Sequence, residues 1–135
     1  MPFKYVKGPT SDVTFEASGA NLEEVFESSA RALLGVMYEM EDVKAERREV
    51  LELEGSDYED LLHLFLSQLI VALEIENLFP AKIELKFDGN RLKAVLLGQD
   101  VEVEKLHTIV KGVTYHDFYL KQTPTGWKAK VVLDI

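Results

Sequence analysis

The chain has 135 residues, of which 47% are hydrophobic and 29% charged, with a mean hydropathy of -0.05, which fits one soluble domain spanning 1–135 with a substantial core. It contains no cysteine, which excludes disulfides and thiolate metal sites. The net charge is -9, and residues 1–80 hold 17 acidic side chains against 6 Lys/Arg, so tight sequence-blind binding of nucleic acid is not expected.

In chain order, residues 3–7 (FKYVK) and 13–17 (VTFEA) alternate as β-strands and are separated by Gly8-Pro9-Thr10-Ser11-Asp12, a loop by composition. The opening MPFKYVKG lacks the apolar run of a secretory leader, and no apolar stretch reaches the ~18 residues of a membrane helix. A cytoplasmic protein without a membrane partner is therefore expected.

The first helix is predicted from Asn21, with Glu24 completing a capping box. Leu22, Val25, Phe26, Ser29, Leu33, Val36, Met37 and Met40 then recur at helical period and predict a core-facing stripe. Residues 43–54 read as a charged strand, and its surroundings from Glu41 to Asp60 carry nine acids and three bases, the mark of a solvated sheet edge. A second helix is predicted from Ser56, with Glu59 as its capping partner, to about Asn77. Its apolar face of Leu61, Leu62, Phe65, Leu66, Leu69, Ile70 and Leu73 is wide enough to require burial.

Pro80 marks the exit from that helix. Residues 83–87 and 92–97 predict a hairpin across Asp88-Gly89-Asn90, and residues 112–120 and 127–133 a second pair across Thr123-Pro124-Thr125-Gly126. Two helices among strands, with strands clustered at the end, predict an α+β fold: a mainly antiparallel sheet with both long helices packed on one face.

The serines have no nucleophile-elbow context, and there is no phosphate loop, dinucleotide fingerprint or EF-hand loop. His63, between Leu62 and Leu64, reads as a packed or half-exposed helix residue. His107 reads as a loop or strand-start residue. The stretch V-K-G-V-T-Y-H (110–116) offers a cation, Lys111, and an imidazole, His116, and is otherwise an ordinary half-exposed strand. The last residues, V-V-L-D-I, form an apolar strand ending on Asp134 and the Ile135 carboxylate. If that strand is central and runs beside the strand after Asp12, three carboxylates converge, and a hard oxygen-liganded cation would relieve their repulsion. The competing reading is an exposed terminus and an ordinary turn aspartate. A metal-dependent enzyme with His116 as general base is the corresponding catalytic alternative.

The loop T-S-D-V (10–13), the helix start N-L-E-E-V-F-E-S-S-A-R-A-L (21–33), V-K-G-V-T-Y-H (110–116) and the terminal G-W-K-A-K-V-V-L-D-I (126–135) occur in one order across nearly the whole chain. Together they resemble the archease family. That family's first motif usually reads His-Thr-Ala-Asp; here Pro9 stands in place of the His and Ser11 in place of the Ala, while Thr10 and Asp12 match. The resemblance implies an α+β sandwich and a non-catalytic accessory protein of the RtcB-type tRNA-splicing RNA ligase, promoting ligase guanylylation and multiple turnover. It implies a divalent ion, Ca²⁺ foremost with Mg²⁺ or Mn²⁺ as alternatives, on Asp12, Asp134 and the Ile135 carboxylate. It further implies a functional contact at Lys111, to which Thr10 and His116 are added as contacts. The other role associated with the family is a chaperone or modulator of tRNA-modifying methyltransferases.

Overall fold

The computed structural model describes residues 3–6 and 12–135. Its elements are β1 (Phe3–Val6), β2 (Asp12–Gly19), α1 (Leu22–Met37), β3 (Arg47–Glu54), α2 (Tyr58–Glu74), β4 (Leu78–Asp88), β5 (Arg91–Asp100), a single 3₁₀ turn (Val103–Lys105), β6 (Gly112–Thr123) and β7 (Gly126–Asp134). The α+β class, the antiparallel pairing and the two long helices are as expected. The strands, however, divide between two sheets. One has the order β1-β2-β7-β6 and the other β3-β5-β4, and every pairing is antiparallel.

The division follows from what the helices must bury. α1 packs on β1, β2 and β7 and also touches β4, while α2 packs on β6 and also on β3 and β4. A helix layer that meets apolar strands on two sides needs apolar residues around most of its circumference. α2 has them: Leu61, Leu62, Phe65, Leu66, Leu69, Ile70, Ala72 and Leu73 are all buried. Phe26 of α1 sits at the junction, 5.7 Å from the Phe65 ring and edge-on to Phe87 of β4 at 4.9 Å. Burying one such ring contributes about 1.5–3 kcal/mol.

Local chemistry sets the helix ends. The Asn21 side chain accepts the Glu24 N–H at 2.9 Å, and Glu24 reaches back to the Ala20 N–H at 3.4 Å. α2 starts one residue later than the Ser56 cap predicted. Asp57 is its cap, accepting the Asp60 N–H at 2.7 Å, and Asp60 in turn accepts from the Ser56 N–H at 2.9 Å. A carboxylate caps a free N–H as well as a hydroxyl does, and its charge also suits the helix dipole. Glu59, freed from capping, accepts the Leu120 N–H of β6 at 3.2 Å.

α1 ends at Met37, before the predicted Met40, because Tyr38 turns out of the helix to bridge to Leu106 and stacks on Phe79 at 4.2 Å. Pro80 lies inside β4, which is an edge strand with a register shift between Pro80 and Lys82. An edge and a bulge are the places where a residue without an N–H is tolerated in a sheet. Opposite that bulge, a Cβ on Gly98 would collide with the Phe79 carbonyl. β3 is the charged edge that the sequence predicts, its residues alternating between half-buried and exposed.

Candidate functional site

β7 is the centre of the four-stranded sheet because its inward residues, Ala129, Val131 and Leu133, are all fully buried and need neighbours on both sides. It pairs antiparallel with β2, so the first residue of β2 meets the last residue of β7. The register pairs Asp12 with Asp134 and Val13 with Leu133. On the other side, Asp134 is opposite Gly112. Directly opposed residues of an antiparallel pair share one face, with Cβ atoms about 4.5–5.5 Å apart. The sheet therefore sets the Asp12 and Asp134 side chains side by side.

Apolar side chains lock this register. A one-residue slip of β7 would turn Val131 and Leu133 out of the core. The main chain adds a further tie, as the Lys111 N–H donates to the Asp134 carbonyl at 2.7 Å. Lys111 is thus fixed next to the acidic pair by its backbone while its side chain is exposed. Among the described residues, the side chains of Asp12, Asp134 and Lys111 make no hydrogen bond or ion pair, so none of them is used to hold the fold together. The Ile135 side chain packs against the core and anchors the residue that follows Asp134.

Two further features belong to the same face. Gly112 leaves the space beside Asp134 open, since a Cβ there would meet no atom within 4 Å. Thr14, two residues along from Asp12 and opposite Val132, is 3% exposed, and its hydroxyl has no hydrogen-bond partner among the described residues. A buried hydroxyl without a partner costs about 1–3 kcal/mol. Neither residue is singled out by the sequence. A Gly or a Thr in an alternating strand is ordinary, and only the register brings both to the acidic pair.

Two like charges directly opposed weaken a sheet. Among the described residues, no three His, Asp or Glu side chains stand together as a metal site. Asp12 and Asp134 bring two carboxylates together, and Ile135 follows the second of them. Carboxylate oxygens alone suit a hard cation whose remaining positions are filled by water. Two opposed carboxylates have the chemistry that such an ion takes, and Gly112 leaves room beside them.

His116 is not brought to this pair. The β6–β7 register breaks between Thr114 and Tyr119, and His116 lies in that bulge, four residues beyond Gly112, on the order of 13 Å at ~3.3 Å per residue. Its N–H donates to Thr114 Oγ1 at 3.0 Å, and its exposed ring is 3.3 Å from the Asp117 carboxylate. Thr10 lies outside the described residues, as do Pro9 and Ser11. His63 is the half-buried helix residue expected, its Nε2 2.7 Å from the Val113 carbonyl and its ring stacked on Tyr115 at 3.9 Å. His107 lies in a connecting segment, its N–H donating to the Met37 carbonyl at 2.9 Å. Among the described residues, no helix is long and apolar enough to cross a membrane.

Residues 3–135 match the Archease protein family (MTH1598/TM1083). The chain is 38% identical over 133 residues to the protein archease of Pyrococcus abyssi, covering 93% of this chain and 94% of the relative. It is 35% identical over 133 residues to that of Methanosarcina mazei, covering 93% and 91%. Among solved structures, it resembles the solution structure of Methanobacterium thermoautotrophicum protein 1598 at 26% identity, with a TM-score of 0.76 and 99% of both chains covered. The crystal structure of "an archease, possible chaperone" from Thermotoga maritima shares the fold, with a TM-score of 0.69 at 23% identity, covering 98% of this chain and 99% of that one.

Proposed function

The chain belongs to the archease family, and from that premise we propose that it is a non-catalytic activator of an RtcB-type tRNA-splicing RNA ligase in the cytoplasm. In this reading Asp12, Asp134 and the Ile135 carboxylate hold a divalent cation, Ca²⁺ foremost and Mg²⁺ or Mn²⁺ otherwise. The cation would supply positive charge for a phosphate-bearing group of the ligase as its histidine is guanylylated. Lys111 adds a second positive charge beside it. The observation that carries the reading is the register of the central strand, which opposes Asp12 to Asp134 and ties Lys111 to the Asp134 carbonyl. Acidic residues dominate 1–80, with a balance of -11, and such a surface suits a basic, RNA-binding partner through electrostatic steering.

The test is a ligation time course with the cognate ligase and excess RNA. Turnover should continue only when the chain is present, and Asp134→Ala and Lys111→Ala should each abolish that effect. Unchanged multiple turnover with Asp134→Ala would refute the role of the acidic pair.

A second reading, a chaperone or modulator of tRNA-modifying methyltransferases, is favoured by a different observation. Val103 and Ile109 are 76% and 73% exposed on one connecting segment, and clustered apolar exposure marks a protein-binding surface. It predicts protection of an aggregating methyltransferase by this chain, with no dependence on Asp134.

A further inference from the structure

The segment 101–109, between β5 and β6, is a rigid strap. Its backbone is tied to the end of α1 by Glu39 N–H to the Lys105 carbonyl at 2.8 Å, His107 N–H to the Met37 carbonyl at 2.9 Å and Thr108 N–H to the Val36 carbonyl at 3.2 Å. The Tyr38 hydroxyl accepts the Glu102 N–H at 2.9 Å. So firmly held a segment would be expected to turn its apolar side chains inward. Instead Val103, Leu106 and Ile109 are exposed. With Met37, Leu73 and Val101 they line a groove of about 330 Å³ at the ends of both helices.

The charge around this groove is mainly negative. Glu74 lines it, and Glu39, Glu76, Glu102 and Glu104 flank its lining residues in sequence or contact. The nearby bases are engaged already. Lys105 is held by Glu102 at 3.0 Å, a hydrogen bond that raises its pKa, and His107 is 3.8 Å from Glu39. Neither α1 nor α2 has a basic residue in its last turn. The α1 end is satisfied by the strap's own N–H groups and Arg47 donates to the Glu76 and Asn77 carbonyls just beyond α2, but α2 itself ends at the groove on Glu74, an acid where a base is favoured.

We propose that this groove docks a basic amphipathic segment of a partner protein. Its apolar side chains would seat among Met37, Leu73, Val103, Leu106 and Ile109, and its Lys/Arg residues would meet the acidic rim of Glu74, Glu76 and Glu104. A second copy of the chain is disfavoured, since it would set one acidic rim against another. Ile109 is two residues from Lys111, so a partner seated in the groove could also reach the acidic pair. The proposal deepens the partner-protein reading above and rests on it only for the existence of a protein partner.

The test uses the full chain with isotope-labelled methyl groups and two designed amphipathic helical peptides of the same apolar face, one with lysine and one with glutamate on the polar face. The lysine peptide should shift the methyl signals of Leu73, Val103, Leu106 and Ile109, and should weaken as salt screens the charges. V103S/I109S should weaken it at least about tenfold, and as both side chains are exposed the fold is kept. Equal binding of both peptides, or shifts confined to other methyl groups, overturns the proposal. So does concentration-dependent self-association that V103S/I109S removes.

The cognate ligase supplies a second arm. V103S/I109S should weaken its binding, while D134A should bind yet fail to sustain turnover. A ligase that binds wild type and V103S/I109S alike overturns the docking proposal and leaves the activator reading intact. A ligase that ignores the wild-type chain overturns the activator reading, and the peptides then decide the groove.

Discussion

Asp134→Asn separates a cation site from a merely structural pair of acids. Asp12 and Asp134 are directly opposed on one face, with no hydrogen-bond or ion-pair partner among the described residues. Two unit charges ~5 Å apart repel by about 0.8 kcal/mol in a water-like medium and by about 3 kcal/mol at an effective dielectric constant of ~20. Asp134 is exposed and Asp12 half-buried, so the lower end applies, at about 1 kcal/mol. With a chelator present, Asp134→Asn should therefore stabilise the chain, raising Tm by about 3 °C. With Ca²⁺ at a hundredfold its Kd, the wild type should gain about 2.7 kcal/mol and the variant almost nothing, so the order of the two melting temperatures reverses. Calorimetry with and without Ca²⁺ reads both effects. A loss of stability for Asp134→Asn in chelator, or an equal Ca²⁺ shift in both proteins, would refute the reasoning.

Thr14→Val removes a buried hydroxyl that has no partner among the described residues, so without metal it should leave stability unchanged or raise it by up to about 1 kcal/mol by denaturant titration. Gly98→Ala should cost more than about 2 kcal/mol in the same titration, because the new Cβ collides with the Phe79 main chain, which cannot rotate aside. Burial raises the pKa of Tyr5 above 10.0, and its hydroxyl donates to the Ala32 carbonyl at 2.8 Å. A raised folded-state pKa gives a contribution that is fully present below pH 10 and lost as pH climbs through the folded value. The melting temperature should therefore fall above pH 10, and Tyr5→Phe should flatten that fall.

The elements were legible because their signals are local. Helical period from Leu22 to Met37 and from Leu61 to Leu73, alternation in β1, β2 and β4, and turn residues at 88–90 and 123–126 each depend on near neighbours alone. The ends were less legible. Ser56 and Asp57 are both good caps, and the choice fell to Asp57, which accepts the Asp60 N–H while the Asp60 carboxylate holds Ser56. Tyr38 could have continued α1, but its ring has Phe79 and its backbone has Leu106 to meet, partners distant in sequence. Pro80 looked like punctuation and became part of an edge strand because β5 pairs with it across a bulge.

The candidate site divides in the same way. The groups available are legible from residue order alone: Asp12 before one strand, Asp134 and Ile135 closing another, Lys111 before a third, and an acid-rich first half. The sequence could say only that the carboxylates would converge if the last strand were central. Tertiary structure decided that it is, because Val131 and Leu133 are buried between two neighbouring strands and fix the register to the residue. It also decided what joins them, the open side at Gly112 and the buried Thr14 hydroxyl, and what does not, since a bulge carries His116 away. The split into two sheets and the exposed ridge of the 101–109 strap are tertiary too. Both depend on which faces the two helices must cover at once, and that is a property of the packed layers rather than of any one stretch of chain.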